Sequence, residues 1–202
     1  MKKVLIINGS PNKNGCTKRA ILEIRNEFQK HNVECSIYDI GHLNIRGCIA
    51  CNKCKETGKC IFDDIVNEIS SIAHEFDGLI IGSPVYFASA NGTLISFLDR
   101  LFYMSKSKFE FKPAACITSA RRAGTLSAFD QLNKYFLISN MFVVGNNYWN
   151  NVHGYSAQDV ERDLEGLQTM RQLARNMSYL INCLDGKQKP SKEEKILTNF
   201  IK

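Results

Sequence analysis

Residues 4–28, VLIINGSPNKNGCTKRAILEIRNEF, place a short apolar run, a loop rich in small and polar residues, and an amphipathic segment in direct succession. The run Val4–Ile7 predicts a buried strand, and the apolar spacing from Ala20 to Phe28 predicts a helix. The loop between them, residues 9–17, therefore leads a strand into a helix N-terminus. Such a terminus binds phosphate well, because its first backbone N–H groups lack partners within the helix.

The same alternation of apolar runs and amphipathic segments continues along the chain. Four more strands are predicted, at residues 33–40, 78–82, 114–118 and 141–144, and the intervening helices end with a long one over about 157–185. Short apolar strands that alternate with helices predict one α/β domain, covering residues 1–202. We expect a flavodoxin-like, doubly wound, five-stranded parallel sheet of order 2-1-3-4-5, with helices on both faces.

Composition excludes several classes of protein. Of 202 residues, 26 are Lys or Arg and 20 are Asp or Glu, and the basic residues are spread along the chain rather than grouped. A nucleic-acid footprint needs a basic stripe or arm, so no nucleic acid is expected. No apolar run approaches the roughly 20 residues that span a bilayer, so no membrane partner is expected either. We expect a cytoplasmic protein, whose thiols stay reduced.

The first loop differs from the common nucleotide-binding loops. It lacks G-x-G-x-x-G, and Cys16 stands near the position where a Walker A loop has lysine. Ser10 and Thr17 offer hydroxyl donors, and Gly15 allows a close turn of the backbone. This combination suits a single monophosphate; the alternative interpretation is a plain Gly/Asn turn.

Two later loops follow strands at the same predicted edge of the sheet. Residues 82–92, GSPVYFASANG, contain a stiffening proline and two aromatic side chains, which offer a flat apolar surface or else belong to the core. Residues 118–125, TSARRAGT, combine a turn of small residues with two arginines. In open α/β sheets the ligand lies beyond the carboxyl ends of the strands, so we expect these loops to meet around it.

The loop 41–62 contains four of the eight cysteines, Cys48, Cys51, Cys54 and Cys60, spaced C-x2-C-x2-C-x5-C. Thiolates at steps of three residues can face one soft metal centre, as in the short runs that hold iron–sulfur clusters. Reduced structural thiols are the leading interpretation of this run. A 4Fe-4S cluster and a zinc site are the alternatives that stay open.

Taken together, these segments resemble the flavodoxin-fold NAD(P)H-dependent FMN reductases, in the branch that includes the iron–sulfur flavoproteins. The resemblance runs nearly from end to end of the chain. It rests on LIINGSP (5–11), GCT (15–17), GCIACNKCKETGKC (47–60) with DD at 63–64, GSPVYF (82–87), NGTL (91–94), FLDR (97–100), SARRAGT (119–125) and YWNNVHG (148–154).

The resemblance implies bound FMN and assigns its contacts residue by residue. The FMN phosphate would be held in the first loop by Ser10, Pro11, Asn12, Gly15, Cys16 and Thr17. The ring would lie along the second loop, at Pro84, Val85, Tyr86, Phe87, Asn91 and Gly92. Its other side would be closed by Ser119, Arg121 and Gly124. Cys16 departs slightly from the family, which often has asparagine at this position.

The resemblance also implies the chemistry. We expect an FMN-dependent oxidoreductase with NADH or NADPH as co-substrate and a flat electron-poor acceptor, such as free flavin, a quinone or an azo compound. No side chain is expected to be catalytic, because the flavin carries the reaction. The chain would form a homodimer or homotetramer.

Two other functions remain as alternatives. One is an iron–sulfur flavoprotein whose four clustered cysteines hold a 4Fe-4S cluster and which exchanges single electrons with ferredoxin. The other is a thiol or zinc sensor domain without catalysis. The choice between NADH and NADPH and the identity of the acceptor stay open at this stage.

Overall fold

A computed structural model describes residues 1–194, 196 and 198 of the chain. The strands are β1 (Lys2–Asn8), β2 (Val33–Asp39), β3 (Gly78–Tyr86), β4 (Ser89–Ala90), β5 (Pro113–Ala120), β6 (Phe142–Val143) and β7 (Asn151–His153). The helices are α1 (Cys16–Lys30), α2 (Lys53–Thr57), α3 (Ile65–Ile72), α4 (Gly92–Ser105), α5 (Thr125–Ile138), α6 (Ala157–Arg162) and α7 (Leu164–Leu184). None of the helices in this described part is both long and apolar enough to cross a bilayer.

The main sheet has the order β2-β1-β3-β5-β6, and its strands are parallel. This is the predicted flavodoxin-like order once the short β4 is set aside, so the predicted fold class is confirmed. The described residues form seven strands rather than the predicted five. One reason is that the fifth position is shared: β6 pairs with the start of β5, and β7 pairs with its end. Residues 145–149 leave the sheet between them.

The other additional strand comes from β3, which continues four residues beyond its predicted end at Gly82. Val85 and Tyr86 pair with Ala90 and Ser89 of β4 in an antiparallel hairpin. Its two turn residues, Phe87 and Ala88, have φ values of 50° and 59°. Much of the predicted second loop is therefore a strand, a tight turn and a short returning strand.

The helix predicted over about 157–185 is divided at Asp163 into α6 and α7. The Asp163 carboxylate accepts hydrogen bonds from the backbone N–H of Gly166, at 2.9 Å, and from that of His153, at 2.6 Å. The first bond caps α7 and the second ties it to β7. The apolar spacing continues across the break, which is why periodicity alone predicts one helix.

Two apolar layers cover the sheet, one on each face. In β1, Leu5 and Ile7 face the layer formed by α3, α4 and α5, whereas Val4 and Ile6 face α1 and α7. Successive side chains of a strand point to opposite faces, so a strand buried on both sides is apolar throughout. Burying each such side chain stabilises the fold by about 1.5–3 kcal/mol.

Candidate functional site

The first loop starts from Asn8, a fully buried residue at the end of β1. The Asn8 side chain donates to the Asp39 carboxylate at 2.8 Å, and its oxygen accepts from the backbone N–H of Ser10 at 3.1 Å. Its backbone carbonyl accepts from Ile40 N–H at 2.9 Å. Asn8 thus joins the loop to the end of β2. Sequence reasoning missed this role, although a polar residue closing an apolar strand was a usable signal.

Hydrogen bonds within the loop hold its shape. The Ser10 hydroxyl oxygen accepts from Asn12 N–H at 3.2 Å and lies the same distance from the Asn12 carbonyl. The Asn12 side-chain oxygen accepts from Asn14 N–H at 3.1 Å, and the Asn12 carbonyl accepts from Gly15 N–H at 3.2 Å. Ser10 is buried, whereas Pro11 and Asn12 lie exposed at the rim.

The N-terminus of α1 is left open for an anion. Its N-cap residue, Gly15, has no side chain to cap the helix, and the first turn contains no acidic residue. The same holds for α5, whose N-cap is Gly124. Free first-turn N–H groups and the helix dipole both favour a phosphate here. The donor set therefore fits the predicted monophosphate.

Lys18 lies just inside α1 but is already paired. Its ammonium group lies 2.7 and 2.8 Å from the two carboxylate oxygens of Asp39. Burial acts against the charged form of Asp39, but hydrogen bonds from Lys18 and Asn8 prevail and lower the pKa of this carboxyl. Lys18 is thus committed to Asp39, and the loop itself offers backbone N–H groups, hydroxyls and the exposed Lys13 as anion donors. This pair was also missed from the sequence, because its members belong to separate elements.

The three predicted loops meet in the structure. The hydroxyl oxygens of Thr17 and Ser119 lie 2.8 Å apart and join the first loop to the third. Gly124 has a φ of 90°, and a Cβ there would lie 3.0 Å from the Cα of Ala88, so the third loop also touches the second. Gly9 N–H donates to the Gly82 carbonyl at 2.8 Å and connects the first loop with the second.

The aromatic residues of the second loop point away from the core. Tyr86 is 46% exposed and Phe87 fully exposed, so the alternative that both are core residues is wrong. Pro84 and Val85 are half-buried in β3. The hairpin turn therefore presents an apolar surface beside the other two loops.

Asn91 and Gly92 begin α4. Asn91 is buried, and its side-chain oxygen caps the helix by accepting from Leu94 N–H at 3.1 Å. Its own N–H donates to the Ser83 hydroxyl at 2.9 Å. Gly92 is exposed. The observed role of the Asn91 side chain is thus to start the helix that leaves the second loop.

The third loop combines a buried and an exposed part. Ser119 is buried, whereas Arg121 and Arg122 are exposed and form no ion pair with another described residue. A further segment reaches the site from β7: the Cys16 thiol donates to the Gly154 carbonyl at 3.4 Å. Burial raises the pKa of the Cys16 thiol, which favours its neutral form.

The four clustered cysteines line one cavity beside α4. Cys48 and Cys51 are exposed, and Cys54 and Cys60 are half-buried. The other lining residues are Ile49, Asn52, Ile61, Phe62, Arg100, Tyr103 and Met104. The predicted loop is not fully irregular, since it contains the short α2.

The backbone of this loop is bent sharply around Cys51. Its neighbours Ala50 and Asn52 have φ values of 54° and 58°, a region that non-glycine residues adopt rarely. Among the described residues, no three His, Cys, Asp or Glu side chains are arranged to hold a single metal ion. Four soft sulfur donors around one cavity match the donor set of an iron–sulfur cluster.

The sheet order and the converging loops define a flavodoxin-like α/β protein in which three loops meet at an uncapped helix N-terminus. Residues 2–156 match the family described as NADPH-dependent FMN reductase, and the chain belongs to that family. Membership confirms the predicted family and supports FMN as the cofactor.

Individual proteins agree with this assignment. The chain is similar to an iron–sulfur flavoprotein of Methanocaldococcus jannaschii, with 32% identity over 190 residues, which cover 90% of this chain and 98% of that protein. An iron–sulfur flavoprotein of Methanosarcina thermophila is 28% identical over 189 residues, covering 90% and 96%. A crystal structure of RosB with bound 8-demethyl-8-formylriboflavin-5′-phosphate has a TM-score of 0.74 at 14% identity, covering 100% and 94%. That structure shows the shared fold.

Proposed function

We propose that this flavin oxidoreductase takes two electrons from NADH or NADPH and passes them to a flat electron-poor small molecule. The observation that carries the proposal is the meeting of three loops at the N-terminus of α1, joined by the contact between Thr17 and Ser119. This arrangement offers anion donors on one side and exposed aromatic surface on the other.

In this proposal the chain binds and orients, and bound FMN supplies the electron-transfer chemistry. The open N–H groups of α1, with the Ser10 and Thr17 hydroxyls, would hold the phosphate. The hairpin around Phe87 would line one side of the ring, and the loop around Arg121 would line the other. The net reaction removes two electrons and one proton from the nicotinamide and gives the acceptor two electrons and two protons, the second from solvent.

The surroundings of the ring support a small planar acceptor. Tyr86, Phe87 and Arg121 are all exposed at this edge, so a free flavin, a quinone or an azo compound can approach and stack there. A net charge of +6 also attracts anionic nicotinamide cofactors. Nicotinamide and acceptor would use the same open face in turn, which predicts ping-pong kinetics.

Anaerobic mixing tests the proposal directly. The purified protein is expected to show a flavin spectrum, and NADH or NADPH should bleach it in a saturable single-turnover reaction. Addition of a quinone should then restore the oxidised spectrum. Protein without flavin, or flavin that neither nicotinamide bleaches, would contradict the proposal.

A second function is favoured by one observation, the cavity that all four clustered cysteines line. We propose a 4Fe-4S cluster held by Cys48, Cys51, Cys54 and Cys60, with single-electron exchange to a ferredoxin-type partner. Both iron–sulfur flavoproteins described above support this candidate through their overall similarity to the chain.

Iron and acid-labile sulfide, measured on anaerobic protein, distinguish the two functions. About four irons per chain are expected for a cluster with four cysteine ligands. Cys54→Ser should lose iron while Cys35→Ser should not, because Cys35 lies in β2, where burial raises the pKa of its thiol to about 12. If the wild-type protein contains flavin but no iron, the four clustered cysteines are reduced structural thiols. Bound flavin, with or without iron, would exclude the alternative of a flavin-free thiol or zinc sensor.

We further propose a homodimer or homotetramer in the cytoplasm. Leu137 and Ile138 are exposed at the end of α5, beside Phe142 and Val143 of the edge strand β6, and this apolar patch suits contact with a second copy. Eight free cysteines suit a reducing compartment. Light scattering measures the molar mass of the wild-type protein and of Ile138→Lys. A monomeric wild type would contradict the proposed oligomer.

A further inference from the structure

Arg100 is a buried arginine at the cysteine cavity. It lies in α4, is only 2% exposed, and its Nε donates a hydrogen bond to the Cys60 sulfur at 3.2 Å. A buried charge is costly unless it is paired and hydrogen-bonded. The hydrogen-bond acceptors around this guanidinium therefore have to compensate for its burial.

All five N–H donors of the Arg100 guanidinium have acceptors. Nη1 donates to Asp64 Oδ2 at 2.6 Å and to the Arg46 carbonyl at 3.2 Å. Nη2 donates to Asp64 Oδ1 at 2.9 Å and to the Phe62 carbonyl at 3.1 Å. The remaining donor is the Nε–H that reaches Cys60. The paired bonds to Asp64 fix the plane of the guanidinium and hence the direction of that N–H.

These bonds connect both ends of the cysteine loop to α4. Arg46 precedes the first cysteine by two residues, and Phe62 and Asp64 follow the last one. Asp64 also begins α3, since its side chain accepts from Val66 N–H at 3.1 Å. Cys60 is separated from Cys54 by five residues, so local spacing alone does not bring its sulfur to the other three. Arg100 bonds both to the Cys60 sulfur and to the Arg46 carbonyl, and so holds the end of the loop near its beginning.

We propose that Arg100 is the positioning residue of Cys60 and that, resting on the 4Fe-4S cluster proposed above, its charged N–H raises the reduction potential of that cluster. Hydrogen bonds to the ligating sulfurs stabilise the more negative, reduced state, and they are among the features that set cluster potentials. The Cys48 sulfur also accepts an N–H, that of Ala50 at 3.4 Å. The bond from Arg100 is shorter and comes from a cation, so it is the stronger of the two.

Substitution at position 100 tests this role. Arg100→Lys keeps a positive charge but cannot make the same fork of bonds, and Arg100→Gln removes the charge. We expect Arg100→Lys to retain FMN and iron. Its cluster should bind an electron about tenfold more weakly, so that the reduction potential becomes more negative by about 59 mV for one electron. Arg100→Gln should lose iron and keep FMN.

Arg46→Gln is the matched control. The Arg46 guanidinium lies 5.1 Å from the centre of the Phe62 ring, as the Arg100 guanidinium does, but Arg46 is exposed. The contact that Arg46 makes with Arg100 uses its backbone carbonyl, which the substitution keeps. Iron content and cluster potential should therefore match those of the wild type.

A measurement on wild-type protein avoids dependence on the folding of any variant. Protein labelled with ¹⁵N-arginine is reduced and examined by pulsed electron paramagnetic resonance. We expect a ¹⁵N coupling to the cluster, produced through the N–H···S bond from Arg100. Iron-loaded protein without this coupling, or Arg100→Lys with an unchanged potential, would overturn the role of Arg100 alone. Wild-type protein without iron would overturn the cluster proposal and this inference together.

Discussion

The hydroxyl oxygens of Thr17 and Ser119 lie 2.8 Å apart although 102 positions separate the two residues in the chain. Thr17 is in the first turn of α1, and Ser119 is near the end of β5. Both side chains are buried, and this contact is what makes one site out of the first and third loops. Its strength can be measured.

Thr17→Val should weaken FMN binding about 10- to 100-fold, because it removes a hydroxyl donor from the phosphate loop while keeping the side-chain shape. Ser119→Ala should have a smaller effect, and the two substitutions should be non-additive, with a coupling of about 1 kcal/mol. Flavin fluorescence on titration into apoprotein measures the affinities. Additive effects would show that the contact does not contribute, and Ser127→Ala, at an exposed position of α5, serves as the control.

Gly124→Ala should reduce both stability and FMN affinity. Its φ of 90° disfavours any side chain, and the added Cβ would press on Ala88, so a loss of about 1–2 kcal/mol is expected. Gly186→Ala separates these causes: Gly186 also has a positive φ, 64°, but open space around it. The control should lose stability alone. Equal FMN affinity in the two variants would contradict a role for Gly124 at the ring.

Arg121→Gln should make the reduction potential of bound FMN more negative and slow its reduction by nicotinamide. The reason is that a positive charge near the ring favours the more negatively charged reduced state. Arg122→Gln changes the same charge one residue further along the exposed loop and should have little effect. Spectroelectrochemistry gives the potentials. A larger shift in the FMN reduction potential for Arg122→Gln than for Arg121→Gln would show that Arg122, not Arg121, lies near the ring.

Glu27 links the stability of the fold to pH. It is 2% exposed and pairs with Lys30 on α1 and with Arg175 on α7. The hydrogen bond from Lys30 is the largest of the causes that lower the pKa of Glu27 from 4.5 to about 2; burial opposes it, and Arg175 adds to it. A carboxyl whose pKa is lowered on folding stabilises the native state above its unfolded pKa. That contribution is lost as pH falls from about 4.5 toward 2.

Glu27→Gln should therefore cost about 1–2 kcal/mol at neutral pH, a value reduced by solvent screening because both basic partners are more than half exposed. Urea unfolding at pH 7, 5 and 3 measures the free energies of unfolding. The difference between variant and wild type should shrink at the lowest pH. Glu56→Gln, in the exposed pair with Lys53, should change stability by less than about 0.5 kcal/mol. A pH-independent cost of Glu27→Gln would contradict the titration argument.

Several features were predictable because their signals are local. The run Val4–Ile7 is apolar at every position, as a strand covered on both faces must be, and it forms most of β1. Periodicity also identified α1 and the order of strands and helices. It did not reveal the break at Asp163, because the carboxylate that caps α7 also needs His153 of β7, which the pattern of helical residues does not include.

The site divides in the same way. The residues of each loop were identifiable from the sequence, because glycine, proline and hydroxyl side chains after an apolar run indicate where a strand ends and a ligand can approach. The contacts of Asn8 with Asp39, Thr17 with Ser119 and Arg100 with Cys60 arise only after the sheet has assembled. Each joins elements distant in sequence, and hydrogen bonds depend on distances and angles that composition and spacing do not contain.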